Sequence, residues 1–225
     1  MTEPLNIEQA RFNMVEQQIR TWEVLDQEVL DALYVVRREA FVPAPHRALA
    51  FSDLELPLLD KAGEGEAMMQ PKVEARILQE IAAKKTDKIL EVGTGSGYLT
   101  ALLAYRGRHV HSVEIHPTLK AFGESNLRRA GVVNATLELG DAARGWGKHA
   151  PYDVIVLTGS TPVLPDAFAR QLAPGGRLFA VVGEAPVMTA CLVTCVAHGT
   201  FNTVPLFETV LAPLKGALER EKFVF

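Results

Sequence analysis

The chain has 225 residues, 48% of them hydrophobic, with a formal net charge of −4 and a pI near 5.9. That is enough for one sizeable core with room for a modest extension, and it carries no basic footprint of a nucleic-acid-binding surface. No apolar run approaches the roughly 20 residues of a membrane span, and Met1–Asn6 lacks the basic and apolar regions of a signal peptide. A soluble, cytoplasmic protein is expected, with neither nucleic acid nor membrane among its partners.

The first predicted element is a helix from Asn6 to Trp22. Asn6 caps it, Gln9 is placed to reach back as in a capping box, and Met14, Val15, Ile19 and Trp22 line one face. A second helix begins at Asp26 with Val29, Leu30, Leu33 and Val36 as its stripe. It ends in Arg37-Arg38, charges that suit a helix C-terminus, before Phe41-Val42-Pro43-Ala44-Pro45 breaks it. Pro57, Gly63 and Gly65 make Phe51–Met69 a loop with a short hairpin. Pro71 then opens a helix at its first turn, with Val73, Ile77, Leu78 and Ile81 inward, and Lys84–Asp87 turns the chain into the next strand.

That strand, Lys88-Ile89-Leu90-Glu91-Val92, breaks into Gly93-Thr94-Gly95-Ser96-Gly97 and resumes as helix at Tyr98–Ala104. Strand, tight turn and helix N-terminus is where an α/β sheet holds a nucleotide-like ligand. A dinucleotide fingerprint G-x-G-x-x-G would place its third glycine where Tyr98 stands. Here it falls at Gly97, and Glu91 lies two positions before the first glycine. A second acid, Glu114, lies 21 positions beyond Gly93 at the end of the apolar run His109–Val113. At that spacing a carboxylate can accept from both hydroxyls of a ribose.

Beyond it, helix and strand alternate: helix Pro117–Ala130, strands Thr136–Leu139 and Asp153–Leu157, helix Pro165–Leu172 and strand Arg177–Val182, with Gly131 and Gly175-Gly176 as helix stops. Several of these strands are apolar throughout, as parallel strands covered on both faces are. Met188–Val196 and Phe201–Leu211 follow without an intervening helix, so the last pairing is expected to be antiparallel. Cys191 and Cys195, four residues apart on a strand, would be about 13 Å from each other, too far for a disulfide. His109 and His111 share one strand face, but two ligands without a third make a poor metal site. No metal is expected.

The spelling of the glycine loop resembles the first motif of S-adenosylmethionine-dependent methyltransferases. Taken with Met14–Arg20, Arg37–Pro43, Gly140-Asp141-Ala142, Gly145-Trp146, Pro151–Thr158, Leu172–Leu178 and Val181–Gly183, the chain resembles the protein-L-isoaspartate O-methyltransferase family over nearly its whole length. The resemblance implies a Rossmann-like class I methyltransferase fold: α/β, mostly parallel, with an antiparallel C-terminal strand and a helical N-terminal extension. It implies one domain over residues 1–225, in which residues 1–70 cover the active site and residues 71–225 form the cofactor-binding core. S-adenosyl-L-methionine would be the cofactor and S-adenosyl-L-homocysteine the product. Glu91, Gly93, Thr94, Gly95, Ser96, Gly97 and Tyr98 would hold it, with Glu114 on the ribose and Asp141-Ala142 at the adenine.

The acceptor side departs from the family. Its serine, aligned by Pro71, falls on Met69, and Ala67-Met68-Met69-Gln70 replaces the usual Thr-Ile-Ser and following residue. A thioether cannot donate a hydrogen bond, so Gln70 and backbone N–H groups are the remaining donors there. Thr158, at the second polar position near the acceptor, opens Thr158-Gly159-Ser160-Thr161, which also differs from the family spelling. The acceptor implied is an isoaspartyl-containing protein or peptide. The alternative is a related methyltransferase with another acceptor, a small molecule included.

Overall fold

The computed structural model describes residues 6–58 and 65–220. The elements are α1 (Ile7–Asn13), α2 (Gln27–Val35), β1 (Leu56–Pro57), β2 (Ala67–Met68), α3 (Pro71–Ile81), β3 (Lys88–Val92), α4 (Tyr98–Arg106), β4 (His109–Glu114), α5 (Pro117–Arg129), β5 (Ala135–Leu139), β6 (Tyr152–Thr161), α6 (Asp166–Arg170), β7 (Leu172–Glu184), β8 (Val187–Ala197) and β9 (Thr200–Glu208). Seven strands form one sheet in the order β5-β4-β3-β6-β7-β8-β9. The first five in that order run parallel, and β8 is antiparallel to both its neighbours. The antiparallel strand is therefore the penultimate one, and β9 returns to the common direction.

Alternation along β6 shows why the central strands are apolar throughout. Val154 and Val156 belong to the core on one face of the sheet, Ile155 and Leu157 to the core on the other. The N-terminal helices share the first face with α3 and α4: Met14, Val15, Ile19, Val29, Leu30 and Leu33 are buried there with Ile77, Leu78, Leu102 and Leu103. Phe168 of α6 packs on the second.

Several local expectations change in detail. The helix over residues 6–22 is continuous but not uniform: α1 passes into a π-helical stretch, Met14–Ile19, and a 3-10 turn, Arg20–Trp22. Asn6 accepts from the Gln9 N–H, yet the Gln9 amide bonds Asn13 one turn on, so only half of the capping box forms. Residue Gly131, at φ +71°, does stop α5; Val132 N–H reaches Leu127 O and Gly131 N–H reaches Arg128 O, the paired bonds of a Schellman motif. Gly175-Gly176 stops no helix. The last helical turn closes at Arg170, and pairing of Leu172 with Tyr152 has already started β7. The hairpin in Phe51–Met69 is β1 paired with β2; residues 59–64, Gly63 among them, lie outside the described residues.

The largest correction concerns Arg38. It does not decorate a helix C-terminus, because α2 closes at Val35 and Val36 is extended. Arg38 is buried, pairs with buried Glu74 of α3, and donates to the carbonyls of Ala50 (3.0 Å) and Met69 (2.7 Å). Its guanidinium also lies 5.0 Å from the centre of the Tyr98 ring. One charge thus ties the N-terminal segment, the loop at Met69 and α3 together. Removing one partner of a buried pair strands the other charge and costs about 3–5 kcal/mol. Arg38→Met is expected to lower the urea-derived unfolding free energy by about that amount; a loss within the scatter of surface substitutions would show that the pair carries no weight.

Candidate active site

The sheet order reverses at β3, whose sheet neighbours β4 and β6 lie on opposite sides of it. Beyond the carboxyl ends of such strands an α/β fold opens a crevice. Here it has a volume of about 1060 Å³. Met69, Glu91, Gly93, Thr94, Gly95, Ser96, Glu114, Asp141, Ala142 and Thr158 all line it. Segments far apart in sequence therefore converge on one hollow.

Gly93 has φ +96°, and a Cβ there would meet Thr158 Oγ1 at 2.2 Å. Thr158 uses the space: its hydroxyl donates toward the carbonyls of Val92 (2.8 Å) and Gly93 (2.9 Å). That hydroxyl proton is committed to the loop. The Glu114 carboxylate is fixed by backbone donors, with Oε2 accepting from Gly95 N–H (2.9 Å) and Oε1 from His116 N–H (3.0 Å). Each oxygen keeps a further lone pair. Asp141 Oδ1 accepts from Ala143 N–H (2.9 Å), and Gly216 of the C-terminal segment backs onto the same carboxylate, where a Cβ would stand 2.8 Å from Oδ2.

Three residues named from the sequence do not line the crevice. Gln70 caps α3, its carbonyl accepting from Val73 and Glu74 N–H. Gly97, at φ +82°, lets α4 start against α5, where a Cβ would meet Gly123 O at 3.1 Å. Tyr98 is buried, its ring 5.6 Å from that of Phe41. These three shape the walls from behind.

Glu91 is fully buried beneath the loop and takes hydrogen bonds from Thr100 and Ser112 hydroxyls on one oxygen, Oε2. Its Oε1 has no partner among the described residues. Burial pushes its pKa up to about 8, against the pull of those two donors. At pH 7 the side chain is therefore held mainly as the neutral acid. Burial likewise raises Glu74 to about 7, with Arg38 opposing it.

Sequence reasoning missed Arg38 and Glu74, whose opposite charges lie 36 positions apart. It also missed Asn126 of α5, which donates to Ser96 O (2.8 Å) and holds the loop from outside. The segment Leu211–Glu219 walls the crevice too. It docks through Ser160 N–H to Ala212 O and Leu214 N–H to Ser160 O, both 2.9 Å, and it has no sequence motif that announces this.

Two solved structures share this fold. A protein-L-isoaspartate O-methyltransferase matches at TM-score 0.78 and 23% identity, over 92% of this chain and 65% of that one. A putative protein-L-isoaspartate O-methyltransferase from Plasmodium falciparum, in complex with S-adenosyl-L-homocysteine, also matches at 0.78, with 19% identity over 94% and 99% of the two chains. The fold is thus a Rossmann-like methyltransferase sheet. Sequence carries the assignment further. The pattern of the protein-L-isoaspartate(D-aspartate) O-methyltransferase (PCMT) family matches residues 9–216. The protein-L-isoaspartate O-methyltransferase of Methanoculleus marisnigri is 39% identical over 92% of this chain and 91% of its own. That of Syntrophobacter fumaroxidans is 36% identical over 88% and 91%. The chain belongs to the protein-L-isoaspartate(D-aspartate) O-methyltransferase family.

The buried acid beneath the loop gives a pH test. Between the ordinary carboxylate value of 4.5 and about 8, folded Glu91 holds a proton that the unfolded chain has lost. Its contribution to stability is complete below 4.5 and declines as pH rises through that window, by up to about 1.4 kcal/mol per pH unit. Glu91→Gln keeps the shape and cannot ionise. Its unfolding free energy is expected to fall less steeply than that of the wild type from pH 5 to 8 in denaturant titrations; parallel curves would mean that Glu91 is ionised in the fold.

Proposed function

We propose that this protein transfers a methyl group from S-adenosylmethionine to the carboxylate of isoaspartyl residues in proteins or peptides. The observation that carries the cofactor assignment is the cradle at Gly93 and Gly95. Both have positive φ, and a Cβ at either would meet a neighbour within 3 Å, Thr158 Oγ1 or a methyl of Leu58. Beside that cradle stand Glu91 Oε1, which lacks a partner among the described residues, and the fixed carboxylate of Glu114. A loop of this shape admits a ligand against bare backbone; the neutral Glu91 carboxyl suits an uncharged polar group on one side, and the Glu114 carboxylate a ribose diol on the other. Asp141, placed by its turn, suits an exocyclic amine.

When bound, S-adenosylmethionine supplies an electrophilic methyl group on a sulfonium, whose S–CH₃ bond breaks as the acceptor's O–CH₃ bond forms. A carboxylic acid with a free pKa near 4 is already ionised at neutral pH, so no side chain need remove a proton. What this chain supplies is position and exclusion of water. Glu114, Asp141 and the glycine loop would hold the adenosyl and methionyl parts. The wall that meets the acceptor includes Met68 and Met69, both buried, with the Met69 carbonyl drawn back by Arg38. Backbone N–H groups of that wall are the donors left for an acceptor carboxylate.

Losing a donor of the oxyanion-hole kind costs about 10²–10³ in rate. Met69→Ser is therefore expected to raise kcat/KM for an isoaspartyl peptide, by up to about 10²-fold. Incorporation of labelled methyl into that peptide by the wild-type protein is expected to exceed incorporation into the aspartyl control. If neither protein labels it, the isoaspartyl acceptor is rejected, and a different acceptor on the apolar Met68–Met69 wall becomes the better reading. Cofactor binding is tested apart from turnover. Calorimetry with S-adenosylhomocysteine should give binding that Glu114→Ala weakens at least about tenfold, the loss of roughly one charge-assisted contact; unchanged affinity would remove Glu114 from the site.

A further inference from the structure

Away from the crevice, three side chains from three separate elements converge on the sheet face near its β5 edge. His111 lies on β4, Glu138 on β5, and His149 in the 3-10 turn Gly147–His149. In the parallel register His111 pairs with Thr136 and Val113 with Glu138, so His111 and Glu138 occupy successive rungs of one face. His149 arrives from above. Its ring stacks on that of His111 with centroids 4.0 Å apart and planes 14° from parallel, and its Nε2 lies 3 Å or less, at 2.6 Å, from Glu138 Oε1. One ligand atom from each of the three residues lies within 4.8 Å of the other two. None of the three lines the crevice.

We propose that His111, Glu138 and His149 form a binding site for a divalent transition-metal ion of the zinc type. Two imidazole nitrogens and one carboxylate oxygen, with a fourth position left to water, are a donor set for Zn²⁺, Co²⁺ or Ni²⁺. Mg²⁺ and Ca²⁺ prefer oxygen donors alone. A second observation points the same way: His111 Nδ1 is buried and has no hydrogen-bond partner among the described residues. Lys88 bears on His111, and Lys148 pairs with Glu138 through an exposed ammonium that is free to swing into solvent. His109, its ring 4.8 Å from that of His111, bonds Thr136 and stands behind the site.

A tetrahedral ion with bonds of about 2.1 Å holds its donors about 3.4 Å apart. Closing the present spacing takes rotation of Glu138 and His149, whose side chains end at or near the surface. The ion would replace the His149–Glu138 hydrogen bond and fasten the Gly147–His149 turn to β4 and β5.

The test uses the untagged full-length chain, titrated with ZnCl₂ in a calorimeter and with CoCl₂ by visible absorption. The expected result is one equivalent of Zn²⁺ bound, no response to MgCl₂, and a Co²⁺ ligand-field band that survives alkylation of Cys191 and Cys195. His149→Ala and Glu138→Gln should each weaken Zn²⁺ binding at least about tenfold while far-ultraviolet circular dichroism stays that of the wild type. Equal Zn²⁺ affinity in the wild type and in whichever of the two variants remains folded would overturn the proposal. So would a band abolished by alkylation, or no binding at all.

Discussion

The crevice depends on one contact at the reversal of the sheet. Thr158 of β6 donates its hydroxyl to the carbonyls that end β3, and it fits only because Gly93 has no side chain. Where strand order reverses, β3 keeps both lateral partners through Val92, and the carbonyls of Val92 and Gly93 lie at the rim of the hollow, where an unsatisfied buried group is costly. The hydroxyl satisfies them and sets the exit direction of the chain. From there Gly95 N–H turns toward Glu114, and the loop becomes a rim of backbone donors bound to an acid from the next strand. The glycine requirement is thus steric and electrostatic together: the same absence that admits Thr158 admits a ligand.

A second constraint comes from burying charge. Arg38 and Glu74 sit side by side under the Met69 loop, with Glu91 deeper beneath the glycines. Taking an ion from water costs several kcal/mol unless it is paired. The structure resolves this in two ways: Arg38 and Glu74 face each other, with carbonyls filling Arg38's remaining donors, and Glu91 gives up its charge. A neutral Glu91 lies near Glu114 without repelling it, so two acids can share one crevice.

Much of this was legible in the sequence because it is written locally. Glycine spacing, a Pro-initiated helix and strands apolar throughout are short-range signals, and they located β3, α3, β4 and β6 within a residue or a few. The misreadings arise where local and tertiary demands coincide in appearance. Arg37-Arg38 after an amphipathic run looks like a helix end favoured by the dipole, but a long-range partner in Glu74 takes Arg38 into the core. Gly175-Gly176 after a helical pattern looks like a stop, but pairing of Leu172 with Tyr152 had already made the chain extended. Convergence from distant segments is invisible in one dimension. That is why the wall from Leu211 to Glu219 and the meeting of His111 with His149 emerge only from the fold.

The acceptor wall shows how a family scaffold absorbs a change in its chemistry. A serine hydroxyl and a methionine thioether differ in hydrogen bonding, and the Met69 side chain is buried with the core. Its backbone is held by Arg38 through the Met69 carbonyl and by the pairing of Met68 with Leu56. Polarity at the acceptor can change there without disturbing Glu114, Asp141 or the glycine loop, which are anchored to other strands. The cofactor half of the site depends on buried polar groups and tight glycines, where most substitutions are costly. Under the proposed function, the acceptor half would be the polarizable apolar wall of Met68 and Met69.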